Sequence, residues 1–186
     1  MRALILCLAT PAVWAQTTLP PLTQPARLQW ALGATLGPPA LAGGAITSAW
    51  ATAFNAPPEY GPHWSGWGKR QALRLSGAAP SNLLEAELGA LWGEDPRYRR
   101  AAAGGASRRM WHAVRAAFLA YGPDGEPRPA YARYAAIPAS NILSNTWRPD
   151  SQRTAGNTAG RIGLGFLSRI AANTFAEFWP DIRRRR

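Results

Sequence analysis

General acid–base hydrolysis needs two carboxylates flanking a substrate, and the densest acids in the first half of the chain are Glu85, Glu87 and Glu94, with Asp95 beside them. A murein hydrolase of the cell wall is the enzyme such a set would suit. A simpler reading keeps Glu94 and Asp95 as a helix-end loop with Arg97, Arg99 and Arg100 close by. His63 and His112 are the only histidines, and they are far apart in the sequence. Nucleophilic or metal chemistry built on histidine needs converging partners, and the chain has no HxxxH, HxxE or GxSxG. No metal ligand set and no cofactor site is expected, and a non-enzymatic role is favoured.

The charge balance of +11 rests almost entirely on arginine, with Lys69 the one lysine. The accompanying load of Ala, Gly and Pro reads as the composition of a GC-rich coding sequence, which weakens the charge as a pointer to nucleic acid. The four arginines Arg183, Arg184, Arg185 and Arg186 end the chain. They form either an anion contact for lipid headgroups or another polyanion, or a solvated tail that complements the negative end of a helix. No nucleic-acid partner is expected, since no basic motif interleaved with aromatics is present.

The opening "MRALILCLATPAVWAQ" has a basic Arg2, an apolar run from Ala3 to Pro11, and a small-x-small site at Val13-Trp14-Ala15. This is the pattern of a secretory signal peptide over residues 1–15. Cys7, the single cysteine, falls inside it, after a Leu6 that does not suit a lipoprotein signal. The mature chain would therefore carry no thiol and no disulfide, and export to the periplasm or cell envelope follows. Residues 16–27 read as a Pro/Thr-rich leader, 28–182 as one helical domain, and 183–186 as the basic tail.

The elements are all helical; no alternating run suggests a strand. Pro38-Pro39 divides an apolar stretch between Trp30 and Trp50 into helices at 28–37 and about 40–54. A continuous helix of that length would match a hydrocarbon core of about 30 Å. Its four large aliphatics provide only about −2 kcal/mol toward insertion, so the segment is expected to be covered by protein in a bundle, with membrane association only in company. Further helices are expected from Trp64 to Ala78 with a break at Pro80, and from about 82 to Trp92 with Leu84, Leu88, Leu91 and Trp92 on one face. Another should run from Ser107 to Tyr121 with Trp111, Val114, Phe118 and Tyr121 inward and Arg108, His112 and Arg115 opposite. "GPDGEP" then makes a turn, leading to a helix at 129–146 kinked at Pro138 and a last one at about 151–179.

The last helix has two stripes, one running through Gly156, Gly160, Gly163 and Leu167 and the other through Arg161, Arg169, Asn173 and Glu177. Gly156/Gly160 and Gly33/Gly37 are GxxxG pairs, which suit close helix–helix contact. The fold expected is an all-α multi-helix bundle with small-residue (Gly/Ala) helix contacts.

The order "GWGKR" (66–70), "EDPRY" (94–98), "GPDGEP", "SNTWRPD" (144–150) and "FAEFWPDI" (175–182) resembles a family of exported bacterial proteins, over about residues 29–182. The resemblance carries no activity; many members have a histidine where this chain has Gly93. The role expected from the chain itself is that of an exported envelope component, with a membrane surface or another envelope protein as partner. The Asp95-Pro96-Arg97-Tyr98 loop is expected to be a structural joint, with Arg97 bonding helix-end carbonyls and Tyr98 packing.

Overall fold

A computed structural model describes residues 22–184. The signal-peptide segment 1–15, the start of the leader, Arg185 and Arg186 lie outside the described residues. The chain forms an all-α helical bundle with one small hairpin. Its elements are α1 (Gln24–Leu36), α2 (Pro38–Ala53), α3 (Trp64–Trp92), α4 (Ala106–Arg115), β1 (Leu119–Tyr121), β2 (Pro127–Pro129), α5 (Tyr131–Leu143) and α6 (Ala155–Arg184). Helix α3 is the centre: α1, α2 and α5 pack on it, and α6 packs on α4 and α5.

The break between α1 and α2 falls where Pro38-Pro39 places it. Gly37 is extended (φ −63°, ψ 155°) and Pro38 opens α2 at a position whose N–H would go unused. Helix α1 starts earlier than expected, at Gln24, because Pro25 suits a first turn and Arg27 is buried against α3. Helix α3 ends as expected at Gly93, a left-handed C-cap (φ 69°) whose N–H bonds the Gly89 carbonyl.

Pro80 does not break α3, contrary to expectation; one helix runs through it. A mid-helix proline costs about 3 kcal/mol or more. Here α2 holds the first half of α3, with Gln71 on Ser48 and Arg74 on the Ala40 carbonyl. Helix α1 holds the second half, with Asn82 on Thr35 and Arg27 on the Ala86 carbonyl. Packing on both sides of the proline outweighs the local penalty.

The second correction concerns residues 116–121. Helix α4 stops at Arg115 and the chain turns into β1, which pairs antiparallel with β2 across the "GPDGEP" turn. Gly125 takes φ 81° there, and Gly122 N–H bonds the Glu126 carbonyl at 2.9 Å. The freed carbonyls of Ala116, Ala117 and Leu119 all face the Arg133 guanidinium of α5. Helix α6 starts at Ala155 rather than 151, after a 3-10 turn at Asp150–Gln152, and Thr154 accepts from the Asn157 N–H.

The interior is small and polar. Among the described residues, the buried apolar ones are eight alanines, including Ala86, Ala113 and Ala136, and Ile137. Between them lie Arg27, Arg70, Arg133, Glu85, Glu94, Asn173 and Glu177, all buried. The large apolar side chains point outward: Ile46 and Trp50 are 70% exposed, Leu91 79% and Trp64 84%. The faces expected inward are therefore turned in part, although Arg108 and Arg115 are exposed as expected and Leu84, Leu88 and Val114 are half-buried. On α3, Glu85, Ala86 and Gly89 are buried and Leu91 and Trp92 exposed; on α4, Ala113 is buried and Trp111 exposed.

Small residues do make the helix contacts, but not at the expected glycines. A Cβ at Gly33, Gly156, Gly160 or Gly163 would meet nothing within 4 Å, and at Gly37 only the carbonyl group of Gly33 in its own chain segment. Close approaches between helices are at Gly44 against Arg74, Gly89 against Arg27 Nη1 (3.2 Å), and Gly165 against Ile137 Cγ2 (2.8 Å). Two glycines at helical spacing permit close contact; whether a neighbour occupies that side depends on how the whole bundle is turned.

Candidate functional site

The chemistry-bearing groups gather inside the bundle, as arginines and carboxylates that tie remote segments together. The first cluster centres on Glu85 of α3. Arg133 of α5 donates Nε to Glu85 Oε1 at 2.8 Å, and Arg169 of α6 donates to Oε2. Arg169 also lies over the Trp30 ring of α1, 5.2 Å from its centre. One carboxylate thus joins four helices. Burial lowers the Arg169 pKa, and the Glu85 charge opposes that shift.

The second cluster centres on Glu177 of α6, which is 0% exposed. Its carboxylate accepts from Arg109 Nε (2.6 Å), the Tyr98 hydroxyl (2.7 Å) and the Ala101 N–H (3.1 Å). Arg109 continues to Asp181 (2.6 Å), which also pairs with Arg100 (3.1 Å). Burial pushes the Glu177 carboxyl up, but the bonds from Arg109, Tyr98 and the Ala101 N–H outweigh it and hold the pKa below the ordinary range. Asp181 is likewise lowered by its bonds from Arg109 and Arg100. Burial and the bond to Glu177 push the Tyr98 phenol well above its usual value, so it remains a donor.

Two further arginines act on carbonyls. Arg27 Nη1 bonds the carbonyls of Ala86 (3.2 Å) and Glu94 (3.0 Å), closing the end of α3. Arg70 gathers the 55–61 loop, donating to the carbonyls of Ala56 (3.0 Å), Pro57 (2.7 Å) and Gly61 (2.7 Å). Gly66, one turn earlier on α3, has no Cβ because the carbonyls of Tyr60 and Gly61 occupy that space.

Of the acids that could have served hydrolysis, Glu85 is consumed by two arginines. Glu94 is buried and accepts from the N–H groups of Tyr131 (3.0 Å) and Ala132 (3.1 Å), capping the start of α5. Burial raises its pKa despite those two bonds. Glu87 is exposed on the other side of α3. The three carboxylates do not face one another across a cleft. His112 bonds the Arg99 carbonyl through Nε2 at 2.9 Å. His63 lines an open apolar hollow of about 340 Å³ between the end of α2 and the start of α3, with Ala49, Ala53, Trp64 and Trp67. No acid lines that hollow, so His63 has no acid–base partner there. Among the described residues no group of three His, Cys, Asp or Glu is placed to hold a metal.

The Asp95–Tyr98 loop runs between the hairpin and α6. Asp95 pairs through its backbone with Tyr121 and through its carboxylate with Arg97 (2.6 Å). Helix-end carbonyls are bonded by Arg27, while Tyr98 reaches Glu177. Pro96 sits between these two directions of the loop. Arg183 and Arg184 are exposed at the end of α6.

No family model, curated protein or solved structure matches this chain. Three short sequence stretches supply nodes of the network. "GWGKR" contributes Gly66 and Arg70, "EDPRY" contributes Glu94, Asp95 and Tyr98, and "FAEFWPDI" contributes Glu177 and Asp181.

Arg27, Arg109, Arg133 and Arg169 were not legible as site residues. The signal available was the polar stripe of α6, at Arg161, Arg169, Asn173 and Glu177, which reads equally well as a solvated face.

Proposed function

We propose that the protein is an exported, non-enzymatic component of the cell envelope that associates with a lipid surface through its outward apolar side chains. The observation that carries this reading is the reversed polarity of the bundle. Glu85 and Glu177 are its largest fully buried side chains, while Trp50, Trp64, Ile46, Leu91, Leu164 and Leu167 are exposed. In water such exteriors are costly, at about 25 cal/mol per Å² of apolar surface left uncovered. Against acyl chains that cost disappears, and charged groups belong inside the bundle, paired with one another.

No helix among the described residues is long and apolar enough to cross a membrane. The contact is therefore along helix faces, as in interfacial association. The signal-like N-terminus supports export, and the exposed Arg183 and Arg184 add attraction to anionic headgroups. The commitment of Glu85 and Glu94 to structural bonds supports a role without wall hydrolysis.

Cell fractionation tests the proposal. The protein should sediment with envelope membranes and partly resist a carbonate wash. Recovery as a monodisperse species in the aqueous fraction, with no binding to added vesicles, would overturn it. Clearing of a murein gel by the purified mature chain would favour the hydrolase instead.

A further inference from the structure

Where the 3-10 turn Pro58–Tyr60, the middle of α3, the 144–153 segment and the first turns of α6 meet, two arginines gather whose side chains bond no carboxylate. Arg148 donates Nε to Ser144 Oγ (3.1 Å) and Nη1 to Gln152 Oε1 (2.9 Å). Arg161 donates Nη1 to the Gln152 carbonyl (2.6 Å) and Nη2 to Asn145 Oδ1 and Thr158 Oγ1. Every acceptor is neutral, and Gln152 holds both guanidinia in one place. Two acids border the corner: Asp150 pairs with Arg153 at 2.9 Å, and exposed Glu59 bonds the Ser151 hydroxyl.

Three buried side-chain polar atoms lack a partner among the described residues, and two are in this corner: Tyr60 Oη and Arg161 Nε. Arg148 Nη2 makes no hydrogen bond to a described residue and lies beside the bare backbone of Gly77. Burial lowers the pKa of both arginines, and the Arg148 charge lowers that of Arg161 further. Burial holds the Tyr60 phenol in its protonated, donating form; the Arg148 charge opposes that shift and the Glu59 charge adds to it. Two guanidinia and a hydroxyl, all donors and none bonded to an anion, leave buried donors unmatched at this corner.

We propose that this corner is a binding site for a phosphate group, held by Arg148 and Arg161 with the Tyr60 hydroxyl as a further donor. A tetrahedral oxyanion accepts from several directions at once and matches the planar fork of each guanidinium. The assignment is independent of the lipid reading above. A lipid headgroup and a free phosphate present the same chemistry to these donors.

The test measures thermal stabilisation and calorimetric binding of inorganic phosphate to the folded chain, against chloride at equal ionic strength. The expected result is saturable stabilisation by phosphate. Arg148→Gln should weaken binding by at least about tenfold, with Arg148→Lys intermediate. Tyr60→Phe, which removes only an unpartnered hydroxyl, should fold normally and weaken binding several-fold. Vesicles of phosphatidylcholine with and without phosphatidic acid supply the second arm. Preferential binding to phosphatidic acid that free phosphate displaces identifies a headgroup site; phosphate binding without vesicle preference identifies a soluble ligand. Stabilisation no greater than chloride gives, or phosphate affinity unchanged in both Arg148→Gln and Tyr60→Phe, overturns the site.

Discussion

Glu85 carries its charge into a bundle whose buried apolar side chains are nearly all alanine, and it is tolerated there because Arg133 and Arg169 meet both of its oxygens. Glu85→Gln would leave two guanidinia without their anion. Removing one partner of a buried pair costs about 3–5 kcal/mol, so urea unfolding should show a loss of that order, with no comparable loss for Glu87→Gln. The Glu177 and Asp181 carboxyls are held below their ordinary pKa, so their stabilisation is present above the unfolded carboxylate range and fades as pH falls through the folded values. Glu94, raised by burial, contributes with the opposite sign, and its destabilising effect is relieved as pH falls. Amide exchange near 98–101 and along the end of α6, normalised to the intrinsic rate at each pH, should therefore accelerate as pH falls below the ordinary carboxylate range. Glu177→Gln should already be accelerated at neutral pH and show a smaller pH response.

Among the elements, the glycines of α3 and α6 differ in what surrounds them. At Gly66 a Cβ would run into the backbone carbonyls of Tyr60 and Gly61, which cannot withdraw without releasing Arg70. At Gly156 and Gly160 there is open space. Gly66→Ala should therefore lower stability by roughly 1–3 kcal/mol through overpacking. Gly156→Ala and Gly160→Ala should raise it by roughly 0.5–1 kcal/mol each, through a less free unfolded chain and better helix propensity. Thermal melting of the three variants separates these outcomes; destabilisation at 156 and 160 would mean that α6 has a close neighbour on that side after all. The break expected at Pro80 and the helix expected through Tyr121 failed for related reasons. A proline penalty is local, whereas α1 and α2 brace α3 on both sides of it. The hairpin exists because Arg133, remote in sequence, takes the carbonyls that a helix would have satisfied internally.

For the whole molecule, polarity decides what surface the protein meets. If the outward apolar side chains contact lipid, replacing Ile46 and Trp50 together by serine should reduce co-flotation with vesicles. The same change should diminish self-association in water measured by light scattering, since both residues are 70% exposed and support no interior contact that serine would empty. Unchanged flotation would remove the α2 face from the contact. The phosphate corner belongs to a different part of the molecule, and its response to phosphate should survive the double substitution.

Local chemistry in the chain was enough to determine the helical class, the stop at Gly93, the division at Gly37-Pro38, the turn at "GPDGEP" and the two stripes of α6. Caps, prolines and turn residues act within a few residues of themselves, so they are legible without a fold. Which stripe faces inward was not. A helical period of 3.6 separates polar from apolar positions but is the same whether the polar side is wet or buried. Only when Arg169 meets Glu85, Arg109 meets Glu177 and Arg133 meets the end of α4, across tens of residues, does the polar face become the interior. Tertiary pairing of charges, rather than hydrophobic pattern, chose the orientation of these helices.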